Sequence, residues 1–230
     1  MEVVLSTGAK VSLIAQTYFS MGDLDGLAEY AARVCYRSVD RMGVVDGFVQ
    51  KRILEGHESV IEHASATFLI DGISRACAQQ LTRHRLASFS MESQRYTELR
   101  LDGGDWRDVV RAACVIPPSF GEEEITALYL SLLAYTAARK RGNKKEDARF
   151  LLPMAVRTSL VMTANMREWR HIIKVRGSKA AQWEVREAVL AILSILSEIA
   201  PETFRDLKEE SLGTATPVHD GNDQRRNRMA

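Results

Sequence analysis

Apolar residues recur at helical spacing over several stretches of this chain and alternate with polar ones over others. Across residues 182–200, Val189, Ile192, Leu193, Leu196 and Ala200 share one face, which predicts a long amphipathic helix ending at Pro201. Residues 122–141 give the clearest helix. Ile125, Leu128, Leu132 and Tyr135 form its stripe, three acids fill its first turn, and Arg139-Lys140-Arg141 precede Gly142, so charge and cap agree with the helix dipole. The same spacing predicts helices over 23–36, 45–55, 73–81, 146–152 and 165–174. Strands are expected over 3–5 and 10–19, joined at Thr7-Gly8, and over 64–70, closed by Asp71-Gly72. The second half reads as mostly helical. From Gly213 onward the composition is rich in Gly, Thr, Pro, Asn, Asp and Arg, which predicts a single domain over residues 1–212 and a flexible C-terminal tail over 213–230.

Composition narrows the possible functions. Hydrophobic residues make up 46% of the 230 positions and charged residues 27%, enough for a sizeable core. Lysine and arginine (31) nearly balance aspartate and glutamate (30), for a net charge of +1. A nucleic-acid partner calls for a basic surplus, so the basic groups here are expected to gather around a small anion instead. Cys35, Cys77 and Cys114 are odd in number and widely spaced, which argues against a disulfide framework or a zinc ribbon; Cys77 sits in an apolar helical context and is expected in the core. No apolar run approaches the ~18 residues of a membrane span, and no secretory leader is evident, so a soluble, cytoplasmic protein is expected.

The chemistry concentrates between Arg83 and Tyr96, where Arg83-His84-Arg85-Leu86-Ala87-Ser88-Phe89-Ser90-Met91-Glu92-Ser93-Gln94-Arg95-Tyr96 packs basic, hydroxyl and aromatic groups together. Guanidinium forks hold phosphate or carboxylate oxygens in pairs, while rings and hydroxyls add stacking and directed hydrogen bonds. The competing reading is a solvated basic loop. Phosphate-binding glycine loops are missing from the chain, so a nucleotide site here must be built from side chains. The segment from His57 to His63 holds two histidines and two carboxylates, but the histidines are six residues apart, about 240° around a helix. That spacing argues against a metal site and leaves hydrogen-bonded core histidines or imidazoles lining a ligand pocket. A second polar group follows, in which Asn165, Glu168 and His171 recur at threes and Arg167 and His171 are four apart, spacing that allows one shared helical face, and Arg149 leads into an apolar run as if aimed at a buried partner.

With these residues in view, the chain resembles the flavin-dependent thymidylate synthases. Their signature is R-H-R, seven residues, then S; here it is Arg83-His84-Arg85 followed by Ser93, extended by Gln94-Arg95-Tyr96. Support extends through His57-Glu58-Ser59, Glu62-His63, Ala148-Arg149, Leu152-Pro153, Asn165, Arg167, Arg176 and Ala181-Gln182-Trp183-Glu184.

The resemblance implies an α/β (α+β) fold, a mixed or antiparallel sheet flanked by helices, and a homotetramer with active sites at subunit interfaces. It implies conversion of dUMP to dTMP with FAD as cofactor, NADPH as reductant and 5,10-methylenetetrahydrofolate as carbon donor, without a cysteine nucleophile. By similarity, Ser59, Arg83, His84, Arg85, Met91, Asn165, Arg167 and His171 serve FAD. Gln80, Arg83, Ser93, Gln94, Arg95, Arg149 and Arg176 serve dUMP, and His57 belongs to a folate or flavin pocket. Arg176 is the expected catalytic residue, favouring ionisation at N3 and O4 of the pyrimidine, and no metal is implied. Two positions depart from the pattern. Met91 stands where many members carry Glu or Gln, so a contact to FAD or dUMP there is through backbone or absent, and His171 stands where Asn is common.

Overall fold

The computed structural model describes residues 1–99, 101 and 104–213. Strands β1 (Glu2–Val4), β2 (Lys10–Gln16), β3 (Ser65–Ser74), β4 (Ser88–Met91) and β5 (Arg157–Asn165) form one sheet in the order β1-β2-β3-β5-β4. Every neighbouring pair is antiparallel. The helices are α1 (Leu24–Cys35), α2 (Phe48–Leu54), α3 (Arg75–Leu81), α4 (Trp106–Ala113), α5 (Glu122–Lys140), α6 (Lys145–Ala148), α7 (Met166–Arg176), α8 (Trp183–Ile199) and α9 (Pro201–Gly213). Among the described residues, no helix is long and apolar enough to cross a membrane.

The expected helices form within a few residues of their expected ends, and polar caps fix several starts. Asp23 accepts from Gly26 N–H at 2.7 Å before α1, and Asn165 accepts from Glu168 N–H at 2.9 Å before α7. The second half holds more than helices. β5, whose buried Thr158, Leu160, Met162 and Ala164 alternate with half-buried neighbours, lies between β3 and β4 at the heart of the sheet. Its alternation is short and lies between helical segments, so its place is decided by pairing with strands distant in sequence. β4 and α4 were likewise not anticipated.

Asp71-Gly72 does not close β3. The strand continues through a bulge between Ile70 and Ile73, with Gly72 at φ +76°, a left-handed conformation that favours glycine. Pro201 ends α8 but also opens α9, because a proline in the first turn forfeits no intrahelical bond. The buried Asp25 carboxylate caps the new helix, accepting from Glu202 N–H at 2.7 Å and Thr203 Oγ1 at 2.6 Å. Of the tail expected over 213–230, only Gly213, the last residue of α9, is among the described residues.

The main core joins Phe68, Ile70, Leu160 and Met162 of the sheet to Trp169, Ile172, Val185, Ile192 and Leu196 of α7 and α8. Trp169 meets Phe68 edge-on at 5.2 Å between centroids and donates from Nε1 to the Ala66 carbonyl at 3.1 Å, which fixes α7 against β3. Cys77 is fully buried in this core. A smaller cluster, built on Val110, Cys114, Leu128, Leu132 and Val156, packs α4 and α5 together.

Glu184, in the first turn of α8 and 2% exposed, accepts from Ser74 N–H at 2.7 Å and from Ser74 Oγ at 2.5 Å. Ser74 Oγ in turn accepts from Cys77 N–H at 3.0 Å and caps α3. One buried carboxylate thus sets where β3 ends and α3 begins. Glu184→Ala leaves the Ser74 donors unpaired in the core and should lower unfolding stability by about 2–4 kcal/mol in urea titrations. A loss below about 0.5 kcal/mol would show that packing alone holds this junction.

Candidate active site

α3 ends in a turn in which His84 N–H donates to the Leu81 carbonyl and Ala87 N–H to the His84 carbonyl, both at 3.1 Å. The turn presents Arg83, His84 and Arg85 to a cleft of about 910 Å³, whose other walls are α7 and the six-residue 3₁₀ helix Glu58–His63. Glu58, Glu62, Arg83, His84, Arg85, Leu86, Asn165, Arg167, Glu168, His171 and Lys174 line it. The face expected over 165–174 exists: Arg167, His171 and Lys174 recur at four and three residues along α7. Asn165 serves twice, since its Oδ1 caps α7 while the residue lines the cleft.

Cations and acids alternate around the cleft. Arg167 pairs with Glu62 and lies 3.6 Å from Glu58, and Lys174 reaches Glu58 at 3.3 Å. Arg83 and Arg85 are exposed and have no ion-pair partner among the described residues, so their charges are not offset within the cleft. Behind them, Arg176 Nε donates to His84 Nε2 at 3.1 Å and its Nη2 to the Gln80 carbonyl at 3.2 Å. Burial, then the Arg176 charge and then His171, lower the His84 pKa from the ordinary 6.5 to about 4. His84 is therefore neutral at pH 7.

The residues expected to serve FAD and dUMP divide in space. Arg83, His84, Arg85, Asn165, Arg167 and His171 meet in the cleft, with Gln80 and Arg176 directly behind His84. Ser59 and His57 are exposed, on and just before the 3₁₀ helix that supplies Glu58 and Glu62, and neither lines the cleft. Met91 ends β4, paired with Leu160 at the sheet edge and 40% exposed. β4 spans about 10 Å at roughly 3.3 Å per residue, and Ser93, Gln94 and Arg95 follow at its far end. There Arg95 Nε meets Glu146 at 3.3 Å, and Lys145 Nζ donates to the Tyr96 carbonyl at 2.8 Å. Arg149 does not aim at a buried carboxylate: it is half-buried, and its Nε donates to the Glu146 carbonyl at 3.2 Å. One chain thus holds Ser93, Gln94 and Arg95 at the far end of an edge strand, while Gln80, Arg83 and Arg176, also expected to serve dUMP, stay at the cleft.

Sequence reasoning passed over two residues here. Arg75 Nη2 donates to the Glu92 carbonyl at 2.8 Å, just before Ser93, and its buried Nε lacks a partner among the described residues. Lys174 lines the cleft, as does Glu168, which recurs at threes with Asn165 and His171. Lys174 lies three residues beyond His171, and that position was the available signal, because it places the side chain on the same side of α7.

The donor set suits an anionic, planar cofactor. Four cations and two imidazoles line a cleft within the size range of cofactor sites, and the His84 and His171 rings meet edge-on at 5.7 Å. Residues 13–202 match the family model described as thymidylate synthase complementing protein. A flavin-dependent thymidylate synthase of Geobacter sulfurreducens is 38% identical over 205 residues, covering 86% of each chain. The chain belongs to the flavin-dependent thymidylate synthases. The enzyme of that name from Mycolicibacterium vanbaalenii is 36% identical, over 91% of this chain and 94% of its own. A structure of thymidylate synthase X from Helicobacter pylori, in complex with FAD and dUMP, superposes with a TM-score of 0.74 at 25% identity, covering 86% of this chain and 97% of that one. The α+β fold with an antiparallel sheet is therefore the fold of the flavin-dependent thymidylate synthases.

The depressed His84 pKa has a consequence for stability. Between pH 6.5 and about 4 the unfolded chain takes up a proton that the folded chain refuses, so stability from this group falls as pH falls through that window and is level outside it. The stability difference between the native chain and His84→Gln should shrink in favour of the variant across that window in urea titrations. A difference independent of pH would mean that His84 titrates normally.

Proposed function

We propose that the chain methylates dUMP reductively to dTMP as a single catalytic domain over residues 1–212, with the Arg83–Arg85 cleft as its FAD site. The observation that carries this reading is the convergence of the R-H-R turn with Asn165, Arg167 and His171 on one cationic cleft. Arg83, Arg85, Arg167 and Lys174 would hold the anionic part of FAD, with His84, His171 and the Asn165 amide along its rings. When bound, FAD passes on a hydride from NADPH, which completes the methyl group that 5,10-methylenetetrahydrofolate supplies. Arg176 stabilises negative charge at N3 and O4 of the uracil, so that C5 becomes nucleophilic and bonds the methylene carbon, C5 gives up its hydrogen as a proton, and the bond from that carbon to the folate nitrogen breaks with its electron pair leaving on nitrogen.

The cysteines support a route without a thiolate. Cys77 and Cys114 are fully buried, and burial raises both thiols, Cys114 to about 12 despite Arg157 nearby. Cys35 is exposed at the end of α1 and does not line the cleft. Ser93 Oγ accepts from Arg95 N–H at 3.3 Å and serves substrate positioning. The separation of Ser93, Gln94, Arg95 and Arg149 from the cleft favours a homotetramer in which a second copy brings its dUMP set to the FAD of the first. Met91 then contributes through backbone at the sheet edge, while His57 and Ser59 border the folate or flavin pocket. The protein works in the cytoplasm.

Purified protein should bind FAD and release tritium from C5-labelled dUMP when NADPH and the folate are present. FAD binding with no release would leave a flavoprotein without this activity. Arg176→Ala should keep FAD while turnover collapses, and near-normal turnover would remove Arg176 from its role. Arg85→Ala and Arg95→Ala proteins, each impaired alone, should regain activity when unfolded and refolded together, because a mixed tetramer pairs an intact cleft with an intact dUMP set. Mixtures no more active than their components would place both sets in one subunit.

A further inference from the structure

Three carboxylates line the cleft, and two are occupied by cations. Glu58 and Glu62 pair with Arg167, and Glu58 also with Lys174. Glu168 is different. It is 6% exposed, accepts no hydrogen bond among the described residues, and points Oε1 at His84 Nδ1 from 3.7 Å. Burial pushes its carboxyl above the ordinary range, and His171 draws it back.

The bond on the far side of the imidazole determines what Glu168 meets. A guanidinium donates and never accepts, so the Arg176 Nε–H that lies 3.1 Å from His84 Nε2 requires a lone pair on that nitrogen. The ring is neutral, and its single proton therefore sits on Nδ1, directed at Glu168. The opposite tautomer would set an N–H against the Arg176 N–H and release the guanidinium. We propose that Glu168 is a positioning residue: its carboxylate selects the Nδ1–H tautomer of His84, whose Nε2 then holds Arg176 in its working orientation.

This inference rests on the proposed role of Arg176. With Nε on His84 and Nη2 on the Gln80 carbonyl, Arg176 has its Nη1 without a bond among the described residues and free to meet the pyrimidine. The gap of 3.7 Å exceeds a hydrogen bond, so in this state Glu168 acts through charge; closing by roughly 0.8 Å would complete an N–H···O bond.

The test begins on the unaltered, FAD-free protein, where long-range proton–nitrogen correlation spectra should show the His84 proton on Nδ1; a proton on Nε2 overturns the proposal without any variant. Glu168→Ala should mix the tautomers and weaken dUMP binding to the FAD-loaded enzyme by about tenfold, whereas Glu168→Gln, whose amide oxygen still accepts, should stay within about threefold. In an Arg176→Ala background, Glu168→Ala should cost no further dUMP affinity. An equal loss there, or unchanged tautomers in Glu168→Ala, would show that Glu168 does not act through Arg176. Normal turnover by Arg176→Ala alone would instead overturn the role given to Arg176, while the His84 spectrum still reports on Glu168.

Discussion

The two hydrogen bonds between the Glu184 carboxylate and Ser74 join the sheet to the site. Ser74 ends the longest strand and caps α3, and α3 ends in the turn that carries Arg83, His84 and Arg85. A buried carboxylate without partners is costly, so Glu184 tolerates few positions for Ser74. Its helix, α8, packs in the main core with α7, the opposite wall of the cleft. α8 thus contacts both α3, which leads into one wall of the cleft, and α7, which forms another.

α7 is held from both sides. On the sheet side, Trp169 reaches the Ala66 carbonyl. On the other, Arg170, 1% exposed, grips Asp206 of α9 through two 2.7 Å bonds and also donates to the Thr203 carbonyl. A fork of this kind fixes orientation as well as distance. With Trp169 and Arg170 buried, Arg167, His171 and Lys174 are left to the cleft. The cations there are only partly neutralised, since Glu58 and Glu62 serve Arg167 and Lys174 while Arg83 and Arg85 keep their charge open to an anion. His84 stands between the two regimes. It is buried enough to stay neutral, yet close enough to accept from the guanidinium to which the chemistry is assigned.

Much of the site was legible in the chain. The density of Arg83 to Tyr96 marked an anion site, and the spacing of Asn165, Arg167 and His171 marked a shared helical face, because both are local patterns. Glu168 was legible only as a member of that face. Its place three residues from both Asn165 and His171 is visible in sequence, but its meaning comes from His84, 84 positions away and placed against it by the fold. Arg149 shows the limit of local reading: an arginine entering an apolar run looked aimed inward, yet its Nε caps a nearby carbonyl.

The sequence by itself determined most of the helices, through apolar periodicity and caps such as Asp23, Asn165 and Gln182, and it determined the R-H-R signature and so the family. Only the tertiary structure decided that residues 157–165 form the strand between β3 and β4, that Gly72 is a bulge within a strand, and that Ser93 to Arg95 stand apart from the cleft. The reason is physical. Helices and caps are made by residues within a few positions of one another, whereas strand order, the burial that keeps His84 neutral and the separation of two ligand sets depend on groups brought together from distant parts of the chain.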